Sequence, residues 1–277
     1  MRICWIGFGE AGATFATGLE SPGVAFDVRE DGAMRNAMAE AGVEYAATSV
    51  DAARGADLIL SLVTADQALA AATDAARAPL AGALYCDMNS VAPDTKRAAA
   101  ESIAAAGGRY VDVAVMAPVR PKGRAVPLLV SGPDAHAAAD ALEQAGFASI
   151  EVAGERIGDA SAVKMIRSVM VKGIEALSAE CVLAADAAGV LDRVIASLDA
   201  SWPGADWSRR FDYNLDRMLV HGSRRAAEMD EVARTLDALG TGSPMSRATA
   251  QRQREIGNRS LGAPATLSAK LDTLRAA

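Results

Sequence analysis

Short apolar runs alternate with amphipathic, alanine-rich stretches along the first 157 residues. The apolar runs have few polar interruptions, which is typical of strands that are covered on both faces. Strands are predicted at Arg2–Ile6, Val24–Val28, Asp57–Val63, Ala83–Asp87, Tyr110–Val115, Pro127–Ser131 and Ser149–Val152. Helices are predicted between them, at about 11–20, 31–41, 66–76, 93–106 and 134–145. This alternation predicts an α/β domain whose mostly parallel sheet carries helices on both faces.

From Gly158 to the end the sequence has almost no strand pattern. Apolar residues instead recur at spacings of three and four, at Val163, Ile166, Met170, Ile174, Leu177, Cys181 and Ala184. That spacing predicts one long helix, about 159–188, which is anchored by this apolar stripe and ends at Gly189. Glycine and proline separate further predicted helices at about 191–200, 207–220, 222–239, 244–256 and 265–276. We therefore expect two domains, residues 1–157 and an all-helical domain at residues 158–277.

Composition excludes several classes of protein. A length of 277 residues with 51% apolar content is enough for two domains with cores of their own, and it argues against a disordered chain. The formal net charge is 28 − 35 = −7. Nucleic acids and anionic membrane surfaces bind basic proteins, so neither is expected as a partner. Only 4% of the residues are aromatic, which leaves little for base stacking.

The cysteines, the histidines and the start of the chain bear on location and metal binding. Cys4, Cys86 and Cys181 are far apart, so reduced thiols in a cytoplasm are expected rather than a disulfide framework. His136 and His221 are isolated from one another, so no metal site is expected. Charged residues interrupt every apolar run well before the ~18 residues of a membrane span. No targeting segment is recognised at the start.

The first motif with chemical meaning follows the first predicted strand. It is Gly7-Phe8-Gly9-Glu10-Ala11-Gly12, which has the spacing GxGxxG and leads into a helix. In such a motif Gly7 permits the tight turn, Gly9 the approach of a pyrophosphate, and Gly12 close packing of the helix on the strand. The diphosphate would then bind the amides at the helix N-terminus. Because a strand precedes the motif and a helix follows it, we interpret it as a dinucleotide site.

An acidic residue 20 positions after Gly7 supports the same interpretation. Asp27 follows the second predicted strand, where a carboxylate accepts hydrogen bonds from the adenosine ribose. Its charge would repel a 2′-phosphate, which favours NAD over NADP. Arg29 would instead accommodate that phosphate, and Asp27 would equally serve to start a turn. The predicted cofactor is therefore NAD or NADP, with NAD slightly favoured.

Polar residues follow the next two predicted strands. Val63 ends one of these strands and Thr64 follows it, and Asn89 and Ser90 come after the other. Ligands of doubly wound sheets bind outside the carboxyl ends of the strands. We therefore expect Val63, Thr64 and Asn89 to contact the cofactor and Ser90 to contact the substrate. The alternative for Asn89 and Ser90 is that they cap the helix that begins near Pro93.

The long predicted helix carries a polar face. Lys164, Ser168 and Lys172 are spaced by four residues, so they share one face. Taken alone, such a face is usually a solvated surface. Lys164 lies about 100° around the helix from Val163, so it would point into a cleft while the apolar stripe anchors the helix.

Three motifs together resemble the 3-hydroxyacid dehydrogenases related to 3-hydroxyisobutyrate and 6-phosphogluconate dehydrogenases. The first is the glycine motif that follows Ile6. The second is Asp87–Ser90 followed by Pro93, which is similar to that family's D-x-S-T-x-x-P segment. The third is Gly158–Ser168, which is similar to its G-x-x-x-x-x-K-x-x-x-N element. Residues 221–238 resemble a subgroup that has an uncharacterised helical C-terminal domain.

The resemblance implies a Rossmann-type domain, an all-helical C-terminal domain, a cleft between them, and a homodimer. It assigns the family's catalytic lysine to Lys164 and the position of its amide partner to Ser168. The family's substrate loop, D-x-P-V-S-G-G, corresponds to 112–118 in this chain, which lacks the Ser-Gly-Gly. Met116 and Ala117 therefore occupy predicted substrate-binding positions, and Lys172 is a further one on the long helix.

The residue types suggest a reaction. Oxidation of an alcohol needs a hydride acceptor, which a nicotinamide supplies, and a base for the hydroxyl proton. A lysine has an ordinary pKa of about 10.4, which burial and nearby cations can lower toward ~7–8. The hypothesis is an NAD(P)-dependent oxidoreductase acting on a small 3-hydroxy acid or its oxo acid, with Lys164 as the general acid and base.

Several alternatives stay open from the sequence. The cations Arg120, Lys122, Lys172 and Arg225 predict an anionic substrate, but each is equally explained as ordinary surface charge. His221 and Arg225 form either a salt-linked helix face or an edge of the cleft. Two other functions compete with the dehydrogenase: an imine reductase of the same architecture, against which Lys164 argues, and a cofactor-binding module that dimerises without catalysis.

Overall fold

Eight strands form one sheet in the computed structural model, which describes residues 1–276. The strands are β1 Ile3–Ile6, β2 Val24–Phe26, β3 Glu44–Tyr45, β4 Leu58–Ser61, β5 Leu84–Asp87, β6 Arg109–Val115, β7 Leu128–Ser131 and β8 Ile150–Gly154. Their order in the sheet is β3-β2-β1-β4-β5-β6-β7-β8, and β6 and β7 pair antiparallel while the other neighbours run parallel. The order reverses between β1 and β4, and doubly wound sheets bind ligands at such a point.

Helices cover both faces of this sheet. They are α1 Glu10–Ala16, α2 Gly32–Glu40, α3 Ser49–Ala53, α4 Ala68–Ala75, α5 Pro93–Ala105 and α6 Ala135–Gln144. Side chains alternate along each strand, so Trp5 enters one core with α1, α2 and α6, and Ile6 enters the other with α3, α4 and α5. The predicted α/β fold class is confirmed.

The sequence pattern missed two elements in this region, β3 and α3. The strand has two residues and the helix has five. Neither is long enough to repeat an apolar spacing, so periodicity gives no signal for them. A 3₁₀ turn at Ala65–Gln67 also precedes α4, within a stretch predicted as one continuous helix.

The rest of the chain is helical. Its helices are α7 Asp159–Ala187, α8 Leu191–Ser201, α9 Trp207–Ala238, α10 Pro244–Gly257 and α11 Leu267–Ala276. The chain divides into a first unit, Met1–Met165, and a second unit from Ile166 onward, so the division falls inside α7 rather than just before it. The core of the second unit gathers apolar side chains of α9 such as Phe211 and Met218 with Val182 of α7. Within residues 1–276, no helix has both the length and the apolar character to cross a membrane.

One prediction for the second unit is wrong. Two helices were expected at 207–220 and 222–239, but α9 runs unbroken through Gly222. A Cβ on Gly222 would lie 2.5 Å from the Gln253 carbonyl oxygen and 2.7 Å from the Gly257 Cα. This glycine therefore permits a close crossing of α9 and α10, and it does not end a helix.

The expected burial of the apolar stripe on α7 is also wrong. Met170 is 66% exposed and Leu177 is 58% exposed, and Val163 and Ile166 are exposed as well. The buried face carries Ser168, Lys172, Glu175, Ser178, Ala179 and Val182. The charged members of that face are paired with residues of α9, which a hydropathy pattern does not register.

Candidate functional site

The turn between β1 and α1 has the shape that a nucleotide-binding turn requires. Gly7 has a φ of +87°, and a Cβ there would lie 2.6 Å from the Leu62 carbonyl oxygen. A Cβ on Gly12 would lie 2.8 Å from the Gly7 oxygen. At Gly9, by contrast, nothing among the described residues beyond its chain neighbours lies within 4 Å of such a Cβ. The backbone at Gly9 is thus open to a diphosphate.

Backbone N–H groups at the start of α1 can donate hydrogen bonds to a ligand. Gly9 is the N-cap residue, and no side chain within residues 1–276 caps the helix there. The first amides of a helix have no partner within the helix, so those of Glu10 and Ala11 can serve a ligand. These features fit the diphosphate of a dinucleotide.

Asp27, directly after β2, fixes this turn. Its carboxylate is 8% exposed and accepts hydrogen bonds from the Phe8 N–H (2.7 Å) and the Arg29 N–H (2.9 Å). The hydrogen bond from the Arg29 N–H, two residues along the chain, closes a turn. Starting a turn was the alternative role that the sequence suggested for Asp27. Each carboxylate oxygen has a second lone pair, so Asp27 also retains capacity for ribose hydroxyls.

A pocket of about 240 Å³ opens beside the glycine turn. It is lined by Phe8, Gly9, Glu10, Ala13, Arg29, Asp31, Ala33, Met34 and Ala37. The Arg29 guanidinium is exposed, and its Nε lies 3.8 Å from the Asp27 carboxylate. Asp31 caps α2 by accepting the Met34 N–H. Two cations, Arg29 beside Asp27 and Arg120 beside Glu10, therefore accompany three carboxylates, those of Glu10, Asp27 and Asp31.

Asn89 joins the ends of β4 and β5. Its Oδ1 accepts the Val63 N–H at 2.7 Å, and its Nδ2 donates to the Ser61 hydroxyl at 3.0 Å. The structure thus brings Val63 and Asn89 together at the carboxyl edge of the sheet, and Thr64 follows directly. The N-cap residue of α5 is Ala92, so neither Asn89 nor Ser90 holds the N-cap position.

Lys164 lies in the first unit, in the second turn of α7. Its Nζ donates to the Ser90 hydroxyl at 2.5 Å, and the ammonium is partly buried. Ser90 follows Asn89, so the lysine reaches the residue next to the β4–β5 bridge. A cationic donor and a hydroxyl in contact can exchange a proton with a third hydroxyl placed beside them.

Met116 and Ala117 follow β6 and are half-buried. The Met116 N–H bonds the Pro127 carbonyl, and Ala117 packs against the core of the first unit. Arg120, further along this segment, lies over α1, with its Nε 3.9 Å from the Glu10 carboxylate. The segment therefore runs close to the glycine turn.

Two predicted substrate-binding residues lie in the second unit. Lys172 is 4% exposed, with its Nζ 2.8 Å from the Glu228 carboxylate and 3.4 Å from the Ser168 hydroxyl. Arg225, predicted as a cleft cation, is buried and forms two hydrogen bonds with Glu175. Arg225 is therefore salt-linked, through Glu175 of α7.

Sequence reasoning missed two anchoring residues of the first unit. Arg124 donates from one guanidinium nitrogen to the Phe15 and Thr17 carbonyls, at the C-terminus of α1, where a cation complements the helix dipole. Lys96 is completely buried on α5. The sequence did contain a clue to the burial of Lys96. It lies three residues before Ala99 and four before Ala100, on a helix face that is otherwise apolar.

Family models match both parts of the chain. A model described as the NAD binding domain of 6-phosphogluconate dehydrogenase matches residues 2–154, which is more than half of the sequence. A second model, a domain of unknown function (DUF1932), matches residues 185–256.

Solved structures share the architecture over the whole length. A conserved hypothetical protein from Sinorhizobium meliloti is 39% identical, with 99% of this chain and 95% of that chain covered and a TM-score of 0.77. The conserved protein MTH1747, described as structurally similar to 3-hydroxyacid dehydrogenases, is 30% identical over 96% of this chain and 100% of that chain, with a TM-score of 0.72. A 3-hydroxyisobutyrate dehydrogenase from Mycobacterium tuberculosis is 18% identical, with 99% and 100% covered and a TM-score of 0.77, a likeness of fold alone. Imine reductases have this fold too.

Proposed function

Because the chain belongs to the family of the NAD binding domain of 6-phosphogluconate dehydrogenase, we propose that it is an NAD(P)-dependent oxidoreductase acting on a CH–OH group. Its substrate in this proposal is a small 3-hydroxy acid, or the corresponding oxo acid in the reverse direction. Lys164 is the general acid and base. Gly7, Phe8, Gly9, Glu10, Ala11 and Gly12, with Asp27, Arg29, Val63, Thr64 and Asn89, form the cofactor site.

One observation carries the proposal: the Lys164 ammonium donates to Ser90, at the carboxyl end of β5. That edge of the sheet also carries the glycine turn after β1 and the Val63–Asn89 bridge after β4. When bound, the nicotinamide accepts or returns the hydride. In the oxidative direction Lys164, as a neutral amine, takes the substrate hydroxyl proton, and in reduction it gives that proton back.

Ser90 has a supporting role in this scheme. As a hydroxyl it accepts from the lysine and still has a proton to donate, so it orients Lys164 and the substrate oxygen together. Met116, Ala117, Ser168 and Lys172 remain proposed substrate contacts.

An acid substrate fits the charges of the first unit better than those of the second. Lys172 and Arg225 do not favour an anion, because Glu228 and Glu175 already neutralise them. Arg120 is mostly exposed, and it lies with Lys122 in the segment after β6. These two cations, with Lys164, are the groups that we expect to meet a substrate carboxylate.

NAD is the proposed cofactor rather than NADP. The buried Asp27 carboxylate and the Glu10 and Asp31 carboxylates of the neighbouring pocket outnumber the two cations beside them, Arg29 and Arg120. A 2′-phosphate would bring about two more negative charges into that surrounding.

A homodimer is also proposed. Ile166, Met170 and Leu177 form an exposed apolar stripe along α7 in the second unit. A stripe of this length on a helix is typical of an interface with another helix. A second copy of the chain would cover it.

The test measures nicotinamide absorbance with purified protein, short-chain 3-hydroxy acids, and the primary alcohols of the same carbon skeletons. We expect turnover with the acids and little with the neutral alcohols. Lys164→Met should lower turnover by roughly 10²–10⁴-fold, because that is the usual contribution of general acid–base catalysis. Lys164→Arg is the matched control, since arginine keeps the charge but does not release its proton, and it should be equally slow.

Both variants should bind NADH as tightly as the wild type, as measured by fluorescence titration. Turnover of Lys164→Met above about a tenth of the wild-type rate contradicts the assignment. NADH binding without turnover on any hydroxy acid would instead favour the non-catalytic module.

A further inference from the structure

Three polar side chains form a buried row across adjacent strands of the first unit. Asp87 of β5 pairs in register with Asp112 of β6, which pairs in turn with Ser131 of β7. All three side chains are fully buried. Two carboxylates side by side in a protein interior are unfavourable unless a cation and hydrogen-bond donors accompany them.

Lys96 of α5 supplies that cation. Its Nζ donates to the Asp87 carbonyl oxygen at 2.6 Å and lies 3.1 Å from the Asp87 carboxylate. It also lies 3.2 Å from the Asp112 carboxylate. Tyr110 donates its hydroxyl proton to Asp87 at 2.7 Å, and burial, with Asp87 beside it, raises the pKa of Tyr110 well above its usual value. One ammonium thus serves both carboxylates.

The Asp112 end of the row caps α7. The Ser161 N–H donates to the Asp112 carboxylate at 2.9 Å, and the Ala160 N–H donates to the Ser131 hydroxyl at 2.9 Å. A carboxylate at a helix N-terminus satisfies unpaired amides and complements the helix dipole. Lys164 follows Ala160 by one helical turn, so this cap fixes the direction in which the Lys164 side chain leaves the helix.

The Asp87 end of the row holds the partner of Lys164. The Asp87 carboxylate accepts the Asn89 N–H at 2.9 Å, and Ser90 is the next residue. Lys164 is therefore linked to Asp112 through the first turn of α7, and Ser90 is linked to Asp87 through Asn89. These two carboxylates share Lys96.

We propose that Lys96 is a positioning residue, which holds Asp87 and Asp112 together and so sets the Lys164 ammonium against Ser90. Any effect of Lys96 on the reaction rate rests on the proposed function, whereas its effect on the position of Lys164 does not. In Lys96→Met the two buried carboxylates would face each other without a cation, and one of them would take up a proton or move away. Either change loosens the cap of α7 or the Asn89–Ser90 segment.

The sequence makes a direct test possible, because it has five lysines: Lys96, Lys122, Lys164, Lys172 and Lys270. In the full-length protein with ¹³C-labelled lysine, each lysine gives one resolvable Cε–Hε signal. Lys122, which is exposed, gives the reference for a solvated lysine. We expect the Lys164 signal in Lys96→Met to move at least halfway toward that of Lys122.

Lys270→Met is the matched control. Lys270 is also buried, and it lies 2.7 Å and 3.6 Å from the carboxylates of Asp212 and Asp216 in the second unit. Its loss removes a buried lysine that bridges two aspartates, but it should leave the Lys164 signal unchanged. Lys270→Met therefore shows whether the loss of a buried lysine elsewhere in the chain moves the Lys164 signal.

If Lys96→Met does not fold, Lys96→Gln takes its place, because it also removes the cation but keeps a hydrogen-bond donor for the two carboxylates. The Lys164 signal should then shift in the same direction by a smaller amount. An unchanged Lys164 signal in the folded variants overturns the inference.

With an active substrate, kcat of Lys96→Met should fall roughly tenfold or more while the Kd for NADH stays within about twofold, because a small displacement of a reacting group lowers the rate. Lack of turnover in the wild type would contradict the proposed function but leave the signal comparison intact.

Discussion

At the scale of single residues, Asp27 has an observed structural role and a proposed binding role. Its two oxygens hold the Phe8 and Arg29 amides, so it shapes the glycine turn before any ligand arrives. In the proposed function, the same carboxylate places a negative charge where the adenosine ribose would bind. A residue with both roles should influence cofactor choice more than a neighbouring carboxylate of equal charge does.

We therefore expect the wild type to bind NADH more tightly than NADPH, and Asp27→Asn to reduce that preference by about tenfold, roughly 1.4 kcal/mol. Asparagine keeps an acceptor for the Phe8 amide but removes the charge that repels a 2′-phosphate. Asp31→Asn is the control, because it removes an equal charge from the same pocket and should change the preference less. Fluorescence titration with each nucleotide measures both effects, and tighter binding of NADPH by the wild type would refute the Asp27 argument.

At the scale of helices and strands, apolar periodicity predicted the long elements and failed where packing uses other chemistry. The apolar pattern predicted the length of α7 but not which of its faces is buried. That face carries Lys172 and Glu175, and each of them forms an ion pair with a residue of α9. The pattern also divided α9 between residues 220 and 222, although the helix continues there and Gly222 permits close packing against α10.

Two glycines on neighbouring helices should respond oppositely to the same substitution. Gly222→Ala places a methyl group 2.5 Å from the Gln253 oxygen, so we expect a loss of about 1–3 kcal/mol in the free energy of unfolding. Gly173 in α7 has nothing among the described residues within 4 Å of a Cβ, so Gly173→Ala should gain up to ~1 kcal/mol from helix propensity. Urea unfolding of both variants measures the difference, and shifts of the same sign would contradict the close crossing.

At the scale of the whole molecule, the two units differ in how far the sequence could describe them. The glycine turn, Asp27, the strand ends and Lys164 were found because motif spacing along the chain identifies them. The buried row of Asp87, Asp112 and Ser131 was not found, because it depends on strand register, which brings together residues far apart in sequence. The ion pairs of Lys172 and Arg225 were not predicted, because they depend on the packing of α7 against α9, which also joins residues far apart in sequence.

The proposed dimer makes a prediction at this scale. Met170→Glu puts a charge in the exposed apolar stripe of α7, so it should weaken self-association by roughly tenfold or more. Leu239→Glu is the control, because Leu239 is equally exposed but follows the end of α9, away from that stripe in sequence. Sedimentation velocity over a concentration series should find dimeric wild type and Leu239→Glu and a more dissociated Met170→Glu. A monomeric wild type would contradict the proposal.

The central claim is that the Lys164 amine moves the proton of the substrate hydroxyl. The most direct measurement is the single-turnover rate of NADH formation by Lys164→Ala, with and without added methylamine. The account predicts a rate at least about 100-fold below that of the wild type, which then rises in proportion to methylamine concentration as the free amine replaces the missing side chain. A Lys164→Ala rate that stays above about a tenth of the wild-type rate and does not respond to methylamine would contradict it.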